Sequence, residues 1–149
     1  MTPTPVEVHA YRHGEAALVP VAEADPFGFW LVEMEASAHG LTSYYADGLL
    51  LAVTGYQLVW KGVADAFALV NRELAHGSGR ELAQAVRQRI VELMASDGLH
   101  RVQATADCAD RASQVFLRAT GYRQEARMHC AGPDGRDLYL YAITRSPSP

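Results

Sequence analysis

Val6, Val8 and Ala10 alternate with Glu7 and His9, the two-residue period of a half-buried strand. His13-Gly14 breaks the pattern, and Glu15 to Ala22 reads as a short helix. From Phe27 to His39 the apolar residues Phe29, Leu31, Val32, Met34 and Ala38 fit helical spacing only loosely, after an irregular start at Pro26 and Gly28. Thr42 to Ala46 and Leu49 to Trp60 are rich in β-branched and aromatic residues and flank Asp47-Gly48, which predicts a hairpin. After the Lys61-Gly62 turn, Val63 to Val70 completes three antiparallel strands before Asn71.

The period then changes. Arg80 to Ala95 places Leu82, Ala83, Val86, Ile90, Leu93 and Met94 on one stripe, the mark of an amphipathic helix, and Ser96-Asp97-Gly98 stops it. In His100 to Ala106 the residues Val102, Ala104 and Ala106 alternate with polar neighbours, predicting a strand. Asp110 is suited to cap a second helix, whose apolar stripe reads as Ala112, Val115, Phe116 and Ala119 and which ends at Gly121. Arg123 to Cys130 and Asp137 to Thr144 read as strands joined by Gly132-Pro133-Asp134-Gly135. This order predicts an α/β (α+β) fold: a mainly antiparallel sheet with one central parallel pair, flanked by helices. The parallel pair is Val63 to Val70 with Arg101 to Ala106, because a helix of about four turns between them is the crossover that parallel pairing requires.

At 149 residues the chain suits one domain, with an ordered core over Val6 to Arg145 and proline-containing tails. The net charge of −4 disfavours wholesale neutralisation of phosphates, so no nucleic-acid partner is expected. No apolar run reaches the length of a membrane helix, and Met1 to Tyr11 lacks the pattern of a signal peptide. The cytoplasm is therefore the expected compartment, with Cys108 and Cys130 as free thiols. His9 and His13 straddle a strand end, and His129 and Cys130 would point to opposite faces of one strand, so no metal set emerges. Cys108, at a strand-to-helix junction, suits a structural role, although helix amides activate thiolates in such places. Tyr44, Tyr45, Tyr56, Trp60, Tyr139 and Tyr141 are assigned to packing first and acceptor recognition second.

Gly77-Ser78-Gly79, between a strand and the long helix, has two readings. Glycines admit close approach of a ligand to the backbone, and helix N-terminal amides attract an anion such as pyrophosphate. The alternative is an ordinary loop. Leu82 stands at the third glycine of a G-x-G-x-x-G motif, no Gly-Lys-Ser/Thr follows, and the G-x-S-x-G spacing is missing, which excludes three better-known motifs.

Two segments together resemble the GNAT superfamily of acyl-CoA-dependent N-acyltransferases. Ala64 to Val70 leads through Gly77-Ser78-Gly79-Arg80-Glu81-Leu82 into the long helix, as in the family's pyrophosphate loop, R/Q-x-x-G-x-G/A, with Leu74 at the R/Q position. Asp110-Arg111-Ala112-Ser113 through Phe116-Leu117-Arg118-Ala119-Thr120-Gly121-Tyr122 is similar to the family's Asn-x-x-Ala…Phe-Tyr-x-x-x-Gly-Phe segment, with Leu117 at the tyrosine position. The resemblance runs from about Thr42 to Thr144 and is nearest to the small acyltransferase-like proteins of phages and prophages.

It implies acetyl-CoA as cosubstrate, an amine acceptor, and cofactor contacts from Val70, Asn71, Gly77, Ser78, Gly79, Arg80 and Asp110. Such a reaction needs a neutral amine, oxyanion donors, a base and an acid for the departing thiolate. Leu117 cannot donate a proton, and Ser113 or a water would have to replace the tyrosine. Asp65, Glu73 and His76 read equally as bases and as solvated surface groups. The alternative is a non-catalytic GNAT-like module, structural or partnered with a phage particle or protein and then associated with the virion.

Overall fold

A computed structural model of the protein describes residues 4–20 and 33–146. In chain order the elements are β1 (Glu7–Ala10), a 3₁₀ turn (Glu15–Leu18), helix α1 (described over residues 33–37), β2 (His39–Ala46), β3 (Leu49–Trp60) and β4 (Val63–Val70). There follow α2 (Arg72–Ala75), α3 (Gly79–Ser96), β5 (Arg101–Asp107), α4 (Arg111–Ala119), β6 (Arg123–Met128), a second 3₁₀ turn (Pro133–Gly135) and β7 (Leu138–Thr144). The seven strands form one sheet in the order β1-β2-β3-β4-β5-β7-β6, in which β4 and β5 are the parallel pair. The chain groups into two compact units, Met1–Gln57 with Phe67–Ala85 and Leu58–Ala66 with Val86–Pro149.

In the first unit β1 lies antiparallel to β2, with Glu7 opposite Tyr45 and His9 opposite Ser43. Asp47 and Gly48 both adopt left-handed backbone (φ 50° and 74°), the conformation that lets a two-residue turn follow the twist of its strands. Tyr44, Leu51, Val53 and Leu82 are buried here, and the Tyr44 hydroxyl shares a 2.9 Å hydrogen bond with Thr54 Oγ1. At the end of β4 the Asn71 amide donates to the Leu51 carbonyl at 2.8 Å, which ties the start of the following loop to β3.

The second unit centres on β5. It is matched to β4 over Arg101–Gln103 and to β7 along its whole length, from Arg101 opposite Thr144 to Asp107 opposite Leu138. Val102, Ala104 and Ala106 are buried and alternate with more exposed neighbours, as the sequence predicts. Arg145 closes the C-terminal end of α3: its Nε donates to the Leu99 carbonyl at 2.7 Å and its Nη2 to that of Met94.

Several expectations are corrected. The helix expected over Glu15 to Ala22 is replaced in its described part by a 3₁₀ turn over Glu15–Leu18, and Val19 is extended because Pro20 disfavours helical backbone before it; Val21 and Ala22 lie outside the described residues. Of the ambiguous stretch, residues 33–37 are helical, and Phe27 to Val32 lies outside the described residues. Strand β6 ends at Met128, so His129 and Cys130 occupy a turn rather than opposite faces of a strand, with Cys130 in left-handed backbone (φ 55°). On α4, Ala112, Val115 and Ala119 face solvent, and Gln114 and Leu117 are the buried residues. Trp60 is 74% exposed and does not pack, since β3 runs out past the core with Leu58 and Val59 also exposed.

Candidate functional site

The segment between β4 and α3 is built from short-range hydrogen bonds. Asn71 caps the four-residue α2, its Oδ1 accepting from the Leu74 amide at 3.2 Å and its carbonyl from that of Ala75 at 2.9 Å. Three residues past α2, the Ser78 amide donates back to the Ala75 carbonyl, and the Ser78 carbonyl accepts from Leu82 at 2.8 Å, the first bond of α3. The amides of Gly79, Arg80 and Glu81 therefore lead an 18-residue helix, ahead of its first intrahelical bond.

Gly77 and Gly79 have ordinary backbone angles, and a Cβ on either would meet no atom within 4 Å. Neither turn geometry nor crowding demands glycine at these positions. What the missing side chains leave is open space against the backbone, the feature a phosphate cradle requires. Arg80 is exposed beside it, and Ser78 is buried.

The remaining sequence candidates sit on separate elements. Asp65 lies on β4 with its carboxyl pushed up by desolvation, against a hydrogen bond from Gln103. Glu73 is on α2 and His76 in the turn after it, both exposed. Asp110 and Ser113 are brought together, but as a helix cap: Asp110 Oδ1 accepts from the Ser113 amide at 3.2 Å, and the Ser113 hydroxyl donates to Oδ2 at 2.7 Å. Leu74 is partly exposed on α2, whereas Leu117 is buried under α4.

A polar site that the sequence reading missed lies in the first unit, where Glu7, His9, Arg12, Glu15, Tyr11 and Tyr45 line a cleft of about 580 Å³. Glu15 is buried and accepts from Ser43 Oγ at 3.0 Å, from the Tyr45 hydroxyl and from the Arg12 amide. Burial pushes its carboxyl up, but these hydrogen bonds and the Arg12 charge outweigh that and hold it below its ordinary value. Glu35 accepts from Tyr11 and from the Gly14 amide at 3.0 Å, and pairs with His13 at 3.0 Å. Burial and the bond to Glu35 push the Tyr11 hydroxyl up to about 12. Apart from the Arg12 amide, three residues from Glu15, these partners lie 21 to 30 residues apart in sequence, so no local pattern announces them.

Among the described residues no group of three His, Cys, Asp or Glu is placed to hold a metal ion, and no helix is long and apolar enough to cross a membrane. Both cysteines are free, Cys130 exposed and Cys108 partly so.

No protein-family model and no curated protein sequence matches the chain. Solved structures do. A GNAT-family acetyltransferase from Bacillus anthracis is similar over 97% of both chains, with a TM-score of 0.70 at 16% identity. A ribosomal-protein-S5-alanine acetyltransferase from Vibrio fischeri covers 97% of this chain and 96% of its own, with a TM-score of 0.71 at 16% identity. A Salmonella typhimurium protein solved with its cofactor acetyl-CoA covers 96% and 98%, with a TM-score of 0.66 at 12% identity. The fold is that of the GNAT acetyltransferases.

Proposed function

We propose that the chain is an acetyl-CoA-dependent N-acetyltransferase acting on an amine. The observation that carries this reading is the pair Gly77 and Gly79, which leave open space against the backbone at the head of α3 in a GNAT-type fold. Gly77, Ser78 and Gly79 would hold the pyrophosphate through backbone amides, with Arg80 supplying a positive charge at the same place. Asn71 already uses its amide, carbonyl and side chain within the protein, so the backbone contact beside the thioester narrows to Val70. Asp110 and Ser113 serve this reading by fixing the first turn of α4. Acetyl-CoA, when bound, supplies an activated acyl group. The chain's part is to orient it and to keep donors near the carbonyl. Use of this cosubstrate agrees with a cytoplasmic protein.

Leu74 and Leu117, apolar where the family pattern has polar groups, favour a second reading: a GNAT-like interaction protein of a phage or prophage, without turnover. Calorimetry with acetyl-CoA separates binding from its absence, and no heat at millimolar ligand would remove the first reading. Gly79→Arg is expected to weaken binding by filling the open space, and normal binding by that variant would put the phosphate site elsewhere. Release of free thiol from acetyl-CoA across a panel of amines supports the enzyme; stable co-purification with a particle and no thiol release supports the interaction protein.

A further inference from the structure

The two faces of the sheet in the second unit are covered unequally. The crossovers β4-α3-β5 and β5-α4-β6 advance in the same direction through the sheet, so their right-handed sense places α3 and α4 on one face. Arg87 of α3 accordingly lies against Gly121 at the end of α4, where a Cβ would stand 3.5 Å from its Nε. Val102, Ala104 and Ala106 of β5 are buried on that face. No α-helix of this unit covers the other one, which carries Thr105 and Ala126 exposed and Leu140 half-buried in one row across β5, β7 and β6.

The neighbouring row of the same face reads Asp65, Gln103, Ala142 and Arg123, across β4, β5, β7 and β6. A carboxylate stands at one end and a guanidinium at the other, and neither has an ionic partner among the described residues; Asp65 takes only a hydrogen bond from Gln103. Other charges at the borders are already paired within the chain, Arg101 with Glu125 at 2.6 Å and Arg136 with Asp107 at 3.0 Å. The two-residue turn Lys61-Gly62 sets Trp60 beside Val63, so Trp60 and Leu58, 74% and 50% exposed, extend the face onto the end of β3. Strands about 4.8 Å apart with about 3.3 Å per residue make β4, β5, β7 and β6 a face roughly 20 Å square, which the β3 end widens toward the ~800 Å² that each partner of an ordinary dimer buries.

We propose that this face docks a second copy of the chain, about a twofold axis parallel to the strands and between β5 and β7. A row that ends in opposite charges is complementary to its own reversed copy, and this selects a second copy over a partner of one dominant charge. The axis lays β4 of one copy over β6 of the other, so that Asp65 of each meets Arg123 of the partner subunit at two equivalent places. Sedimentation equilibrium over a micromolar to submillimolar range should show a monomer–dimer equilibrium. Asp65→Arg and Arg123→Glu each set like charges together at both contacts and should weaken it by at least about tenfold. Mixed in equal amounts, the two variants should associate again as a heterodimer, which also shows that both have folded. In the wild type, hydroxyl-radical labelling of Leu140 should fall as the dimer forms, a readout that needs no variant. A wild type that stays monomeric throughout would overturn the proposal and leave this face to a different protein. A dimer indifferent to both reversals, folded variants that do not associate when mixed, or Leu140 labelling unchanged by dimerisation would overturn it by placing the contact elsewhere.

Discussion

A carboxylate that is only 7% exposed must be surrounded by donors or give up its charge, and Glu15 is surrounded. Ser43 and Tyr45 fasten the 3₁₀ turn onto β2 through this one side chain, and the Arg12 amide holds it from the segment just before the turn. Glu15→Gln keeps the size but removes the charge and gives the hydroxyls a poorer acceptor, so it should cost about 1–3 kcal/mol in urea unfolding at pH 7. The sign of the pH effect follows from the lowered folded-state pKa. The stability from Glu15 is present above the unfolded carboxyl value of 4.5 and is lost as pH falls through the lower folded one. The difference between wild type and variant should therefore shrink in acid, and a constant gap would show that the charge is not what matters. Tyr11 acts at the other end of the scale. Its hydroxyl is raised from 10.0 to about 12, so its contribution is complete below pH 10 and is lost as pH rises toward 12. Tyr11→Phe should flatten the alkaline limb of the stability curve between those values.

At the scale of elements, local chemistry was readable and the choice of buried face was not. Asp47-Gly48 announced its hairpin, Asp110 its cap, and Gly121 (φ 99°) the end of α4, because each depends on backbone geometry within a few residues. The parallel pairing of β4 with β5 followed from the length of the intervening helix. Helix α4 defeated hydropathy because its inward side is fixed by a polar residue: Gln114 Nε2 donates at 3.0 Å to the carbonyls of both Asp107 and Cys108. With Gln114 turned inward, Leu117 follows three residues later and Val115 is left 50% exposed. The two possible faces predict opposite mutational outcomes. Gln114→Leu should destabilise by about 1–3 kcal/mol by taking the side-chain donor from the Cys108 carbonyl and leaving that of Asp107 only the Asp110 amide, and Val115→Gln should stay within about 0.5 kcal/mol of the wild type. Chemical denaturation of the two variants decides between them, and a costly Val115→Gln would restore the apolar stripe read from sequence. The loop candidates were legible for the same local reason as the hairpin, whereas Tyr141 was legible only as one of six strand aromatics assigned to packing first and acceptor recognition second, since only the three-dimensional structure reveals a hydroxyl without a partner.

For the whole molecule, the question is whether the two compact units can open separately. Domain boundaries ordinarily fall in exposed linkers, where few interactions cross. Here the divisions fall inside elements: between Gln57 and Leu58 in β3, between Ala66 and Phe67 in β4, and between Ala85 and Val86 in α3. Opening one unit alone would require breaking two strands and a helix in mid-course, with the loss of their backbone hydrogen bonds. Both units should therefore unfold in one cooperative transition. Native-state hydrogen exchange in increasing denaturant tests this, using amides of the β2–β3 hairpin such as Val53 for the first unit and of the β5–β7 pair such as Ala104 for the second. The two sets should converge on the free energy of global unfolding. A separate, lower-energy opening confined to either set would show that the chain behaves as two domains in spite of the elements they share.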